Sequence, residues 1–386
     1  MDLSDSFTID PREPWVIAHN REAREVLEAF RADHPIRVPL FCNDGHTRHG
    51  FYADEINLDY RTYYTDPDVM LRVQLEAARR RRELPMYDFV LGEPPDAWDV
   101  SVDLGNAVPP GWFGCPLYSR EDWVVSYQGL NLGKEACEAL AMPDPRQGGI
   151  LATVHRSWQY LRETYEGTLT FLGRPVRVWP GVASNGVFSL ALDLRGAEIM
   201  VDMYDDPDFA HRFLGKVADA LDRLETTWTD LSQGTLGPFM ISDHGIDMLS
   251  QDTYEKFIVP VILTVNRRRT TTPAPDLHHC GRGAHLFPVV KKHFGLRLLH
   301  ALTYPLVDIA KVRRELGEET RIHALIEDTI VQHGPPERIR ETVRDLMASG
   351  AKGKGRFALM VGDMLRGTPL EHRLALYEAV KEFGGY

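Results

Sequence analysis

RIHALIE (321–327), PPERIRETVRDLMAS (335–349) and RFALMVGD (356–363) follow one another along the chain. The first and last are short apolar runs bounded by polar residues, as buried strands are. The middle segment opens on prolines, which suit the first turn of a helix, and repeats apolar residues at three- and four-residue spacing. Strand, helix, strand is the unit that joins parallel strands, because parallel pairing needs a crossover connection.

The same alternation extends outward. Strand candidates are IRVPLF (36–41), YDFVLGE (87–93), VRVWPG (176–181), GPFMISDH (237–244), DLHHCG (276–281) and LRLLHAL (296–302), with the two above making eight. Helical patterns fill most gaps. DPDFAHRFLGKVADALDRLETTW (206–228) starts on Asp-Pro and places Phe209, Phe213, Val217, Leu221 and Leu224 on one face. Segments 250–269, 335–349 and 368–384 show the same pattern. Eight strands alternating with helices predict an α/β protein, specifically a (β/α)8 TIM barrel. An open doubly wound sheet is the alternative, but no GxGxxG comes after a strand. Residues 94–175 are too long for one crossover helix and are expected as a lid-like insertion between the second and third strands, closing with a helix near 150–167. The expected organisation is an N-terminal helical segment over 1–34 and the barrel over 35–386.

Composition bounds the function. Of the 386 residues, 44 are basic and 56 acidic, a net charge of −12, which disfavours a phosphate-backbone partner. The one basic run, Arg79 to Arg82, is expected as a solvated helix end. Cys42, Cys115, Cys137 and Cys280 are scattered, with no CxxC pair, which argues against a disulfide scaffold and fits a reducing compartment. The N-terminus is acidic with no apolar targeting core, and no run has the roughly 18 apolar residues of a membrane span. A cytoplasmic protein is expected.

In such a barrel the chemistry gathers where strands end. The ends hold Asn43, Asp44 and His46; Glu93; Ser184 and Asn185; Asp243 and His244; His278, His279 and Cys280; Thr303 and Tyr304; Glu327 and Asp328; and Asp363. His, Cys, Asp and Glu converging on one rim are the parts of a metal or acid–base site. A His-x-Cys pair alone supplies only two ligands.

These segments resemble the uroporphyrinogen decarboxylase superfamily, which includes the decarboxylase of haem synthesis and the zinc- and corrinoid-dependent methyltransferases. PIRVPLF resembles its first barrel strand, and VWPGVASNGVFSLALDLRGAEIMVDMYDDPDFAHRFL its Gly-rich third strand and the segment after that strand. ISDHGIDMLSQDTYEKFIVP, LHHCGRGAHLF and GTPLEHRLALYEAVKEFG are similar to three further segments, in order. The likeness runs from about residue 35 onward, less the 94–175 segment. The decarboxylases carry Arg-Gln-Ala-Gly-Arg after the first strand to hold substrate carboxylates. Here CNDGHTRHG stands instead, and the decarboxylase histidine near the C-terminal Thr-Pro falls on Gly362, which points away from a porphyrinogen substrate. The methyltransferases bind zinc through His-x-Cys and a later Cys. His278 and Cys280 match the first two, while the last falls at Gly362, beside Asp363. The resemblance thus implies zinc at His278, Cys280 and a carboxylate, Asp363 first, with Glu327 or Asp243 as substitutes.

Three readings stay open. A metal-dependent methyltransferase would pass a methyl group between a small methoxy, amine or thiol compound and a corrinoid on a partner protein, since no corrinoid-binding domain is recognisable here. Asn43, Asn185, His244 and Trp112 would then contact substrate. A decarboxylase or related lyase of a non-porphyrin carboxylate would use Asp243 or Glu93, with His46 or Tyr304 as acid–base partner. A non-enzymatic barrel would bind a small aromatic ligand through Trp98, Trp112, Trp123 and Trp158. Against each stands a plainer role: Cys280 as a buried thiol, His278 as a satisfied core histidine, Asp243 as a cap, the tryptophans as core.

Overall fold

The computed structural model describes residues 3–42, 46–182, 185–239, 241–269, 274–361 and 365–386; for residues 42, 46–48, 241 and 242 it describes the backbone alone. The strands in chain order are β1 (Leu40–Cys42), β2 (Trp98–Ser101), β3 (Leu117–Tyr118), β4 (Ser126–Tyr127), β5 (Thr170–Phe171), β6 (Arg174–Trp179), β7 (Ile241–Ser242), β8 (Asp276–His278), β9 (Leu298–Tyr304), β10 (Arg321–Ile326) and β11 (Phe357–Val361).

Six of them form one sheet in the order β1-β11-β10-β9-β8-β7, with every neighbouring pair parallel. The α/β class and the parallel sheet therefore match the reading of the sequence. Among the described residues no ladder closes the sheet into a ring, and two of the eight expected strands are not in it.

YDFVLGE forms no strand. Its backbone is satisfied by side chains rather than by a ladder. Asn20 bonds both the Leu91 N–H and the Leu91 carbonyl, at 2.8 and 2.9 Å, and His19 Nε2 bonds the Phe89 carbonyl at 2.9 Å. One backbone bond, Asp88 N–H to Leu40 O at 3.0 Å, holds the segment beside β1. The Asp88 carboxylate, with no exposure, accepts from Arg37 at 2.5 and 2.9 Å, from Leu40 N–H at 2.7 Å and from Tyr377 at 3.0 Å. An internal carboxylate spends these residues on a side-chain clamp that apolar patterning does not reveal.

VRVWPG does form a strand, β6, but it pairs in parallel with β2, and β5 completes a separate three-stranded sheet. The 94–175 segment contributes β2 and β5 to a sheet shared with β6. Trp98, Trp112 and Trp158 are core residues there, and Trp123 is half exposed.

Helices match the periodicity closely. The 207–231 helix is capped by Asp206, whose carboxylate accepts Phe209 N–H at 3.2 Å. It buries Phe209, Phe213, Val217, Leu221 and Leu224, each contributing roughly 2 kcal/mol by removal from water. Helices over Pro14–Arg31, Leu151–Tyr165, Pro336–Ala348 and Leu370–Phe383 complete the expected set, and 251–269 is helical with a π-turn at Tyr254–Ile258. The basic run differs from expectation. Arg79 and Arg81 are buried, and Arg79 is paired with Glu76 and Glu83. No described helix is long and apolar enough to cross a membrane.

Candidate metal centre

The sequence after β7 is locked before it reaches His244. Asp243 is 1% exposed, and its carboxylate accepts Phe188 N–H (2.9 Å), Ser189 N–H (2.6 Å) and the Ser189 hydroxyl (2.7 Å). It therefore sits on the N-terminus of the Val187–Arg195 helix, where backbone donors lack partners. Burial pushes the Asp243 carboxyl up, while the Ser189 and Phe188 donors pull it back down. Gly186 lies so near that a Cβ there would fall 2.2 Å from the Asp243 carboxyl carbon. The Ser189 hydroxyl also accepts His244 N–H at 2.9 Å, which fixes the backbone of that histidine.

The segment after β8 is locked by His279, which has no exposure. Its Nε2 accepts Gly283 N–H at 2.9 Å, so its proton sits on Nδ1 and is donated to Asp243 O, also at 2.9 Å. Both nitrogens are spent on backbone. His279 holds the two strand ends together, and its neighbours on either side are left to face the site.

Three side chains then converge. Ligand atoms of His244, His278 and Cys280 lie within 4.8 Å of one another. Cys280 Sγ is 3.4 Å from His244 Nδ1, and the His244 and His278 rings meet edge to face at 5.4 Å. His278 Nδ1 is 2.8 Å from His300 Nδ1 on β9. Cys280 is exposed, and Cys115 and Cys137 are buried. Burial lowers the His244 pKa, against the pull of Asp243 and Asp247, so a neutral imidazole is favoured, the form that binds a metal. Two imidazoles and a thiol are a nitrogen–sulfur set suited to zinc, and three protein ligands leave a position open for substrate.

The other sequence-derived candidates lie elsewhere or are engaged. Glu93 pairs with Arg24 through both oxygens at 2.9 Å, on the surface. Tyr304 closes β9 half-buried, with its hydroxyl pushed up by burial and by Asp345 and Asp308. Glu327 accepts the Thr329 hydroxyl at 2.9 Å and begins the next helix. Asn185 is buried and donates to Asn106 O at 3.1 Å. Trp112 is buried and donates to Asp144 O at 3.1 Å. The side chain of His46, and Asn43 and Asp363 altogether, lie outside the described residues. The third group that joins His278 and Cys280, among the described residues, is His244.

Two residues were not singled out by the sequence. His300 needs strand register to be seen beside His278. Asp103 ends the alternating run Trp98, Val100, Val102, a pattern within the segment expected as a lid. It lines a cavity of about 490 Å³ together with His49, Gln74, Arg81 and Arg82, and accepts the Tyr63 hydroxyl at 2.8 Å.

Comparison with known proteins agrees with this frame. A curated uroporphyrinogen decarboxylase from Chloroherpeton thalassium is 25% identical over 187 residues, 47% of this chain and about half (51%) of that protein. A solved structure, a methyltransferase from Methanosarcina mazei, superposes with a TM-score of 0.63 at 18% identity, covering 94% of this chain and 98% of that one; at that identity the likeness speaks for the fold. The family model for uroporphyrinogen decarboxylase (URO-D) matches residues 21–383, nearly the whole length. The chain belongs to the uroporphyrinogen decarboxylase family.

Proposed function

We propose that the protein is a zinc-dependent methyltransferase that moves a methyl group between a small methoxy, amine or thiol compound and a corrinoid carried by a partner protein. The observation that carries this reading is the meeting of His244, His278 and Cys280 within 4.8 Å at the ends of β7 and β8. These three residues would hold the metal. When bound, zinc supplies Lewis acidity at the substrate heteroatom. His279 and Asp243 take no part in that chemistry: they hold the two strand ends at a fixed separation, so that imidazole, imidazole and thiol are presented together. Cys280, as the exposed member, faces the side from which substrate and partner would arrive.

The test uses free methylcobalamin as a surrogate for the partner-borne corrinoid, offered with small thiols, amines and alcohols. Demethylation that needs zinc and is lost in Cys280→Ser supports the reading. Equal rates in wild type and variant, or none with any acceptor, count against it.

A second reading rests on the cavity beside Asp103. Arg81, Arg82 and His49 in its lining suit a carboxylate substrate, as a decarboxylase of a non-porphyrin acid would need. Carbon dioxide release from a small carboxylic acid, unchanged in Cys280→Ser and abolished in Asp103→Asn, would favour it over methyl transfer.

A further inference from the structure

Three histidines sit side by side across the sheet. His278 on β8 pairs in register with His300 on β9, and His300 with His323 on β10. The rings are in contact along the row, with centroids 5.0 Å apart for His278 and His300 and 6.2 Å for His300 and His323. They share one face, since strand neighbours point to opposite sides; Leu277, Leu299 and Ile322 occupy the other and are fully buried. Immediately after His300 the ladder slips by one residue, and Ala301 takes a left-handed φ of 71°. A bulge at that point re-aims the side chains around it, and the left-handed region is one that an alanine rarely adopts. The β9 backbone is thus irregular immediately after His300, on the side where β9 pairs with β10.

We propose that His300 is a positioning residue that engages Nδ1 of His278 and so sets whether Nε2 of His278 can serve the metal. The inference rests on the assignment of His244, His278 and Cys280 as a zinc site. One hydrogen lies between the two Nδ1 atoms, 2.8 Å apart, and it has two placements. If His300 donates it, His278 carries its proton on Nε2 and that nitrogen cannot ligate. If His278 donates it, His278 Nε2 presents a lone pair, and His300 is the tautomer protonated on its own Nε2. Zinc binding therefore selects the second placement. Metal-bound histidines usually donate to a carbonyl or carboxylate, which accepts only. An imidazole in that role can either donate or accept, so the competence of His278 as a ligand depends on the tautomer of its neighbour.

The experiment measures zinc affinity of the full chain by competition with a chromophoric chelator, for wild type, His300→Phe and His300→Asn. Phenylalanine keeps a ring and removes the acceptor; asparagine restores a polar atom near the Nδ1 position. Loss of such a partner is expected to weaken zinc about 10- to 100-fold in His300→Phe, with most of the affinity regained in His300→Asn. Nitrogen-15 spectra of the zinc-loaded wild type should show His278 protonated at Nδ1 and His300 at Nε2, a readout that stands even where His300→Phe fails to fold. Wild-type affinity in a folded His300→Phe, equal weakness in both variants, or His300 protonated at Nδ1 in the loaded protein each overturn the proposal. In those cases wild type still binds zinc; a wild type that binds none overturns the site assignment itself.

Discussion

Cys280 Sγ lies 3.4 Å from His244 Nδ1, although the two residues come from different strand ends and are separated by 36 positions in sequence. That approach is imposed from behind by Asp243 and His279, which spend their polar atoms on backbone and on Ser189. The site thus depends on residues with no ligand role.

Asp243→Asn replaces a carboxylate that accepts three donors by an amide with one accepting oxygen. A backbone N–H of the Val187–Arg195 helix is left facing the new amide hydrogens. The expected loss of stability is about 2–4 kcal/mol, measured by urea unfolding. Unchanged stability would show that Asp243 is not the cap it looks to be, and would reopen a proton-handling role for it.

Asp88→Ala tests the clamp that replaces the expected second strand. The Asp88 carboxylate joins Arg37, the Leu40 N–H on β1 and the Tyr377 hydroxyl on the C-terminal helix. Removing it leaves a buried guanidinium without its main counter-charge. The cost should be about 3–5 kcal/mol, read as a lowered urea midpoint. A change below about 1 kcal/mol would mean that the segment is held mainly by Asn20 and His19.

This clamp also shows what was legible in the sequence. Helices were, because a 3.6-residue apolar stripe is a local signal; the 207–231 helix and its Asp206 cap were plain. So were the six strands of the parallel sheet, as short apolar runs between helices. YDFVLGE was not, because its backbone partners are the side chains of His19 and Asn20, about 70 residues away. β2 was hidden by Asp99, which breaks its apolar character. At the site, His278 and Cys280 could be found as a motif on one strand. Their meeting with His244, and the row through His300, depend on register between strands, which one sequence does not display.

Asp193 gives a pH dependence. Burial pushes its carboxyl from 3.8 up to about 7, partly offset by the Tyr127 hydroxyl, which donates at 3.2 Å. The folded state thus prefers the protonated acid. Its stabilising contribution is full below the unfolded value near 4 and is lost as pH rises toward 7. Asp193→Asn keeps a neutral, nearly isosteric group. Because the residue is only partly enclosed, we expect the variant to gain on the order of 2 kcal/mol over wild type at about pH 8, and much less at about pH 5. Parallel urea titrations at the two pH values check the sign; a gain that is larger at the lower pH contradicts it.

In the reading proposed above, His244, His278 and Cys280 together hold one zinc ion. The most direct measurement is the metal content of the purified protein by mass spectrometry after zinc loading and removal of free metal, for wild type and for His244→Ala, His278→Ala and Cys280→Ser, with folding checked by circular dichroism. We expect about one zinc per chain in wild type and a loss of affinity of at least about tenfold in each folded variant. Zinc absent from wild type, or retained at full stoichiometry and affinity in all three variants, would contradict it.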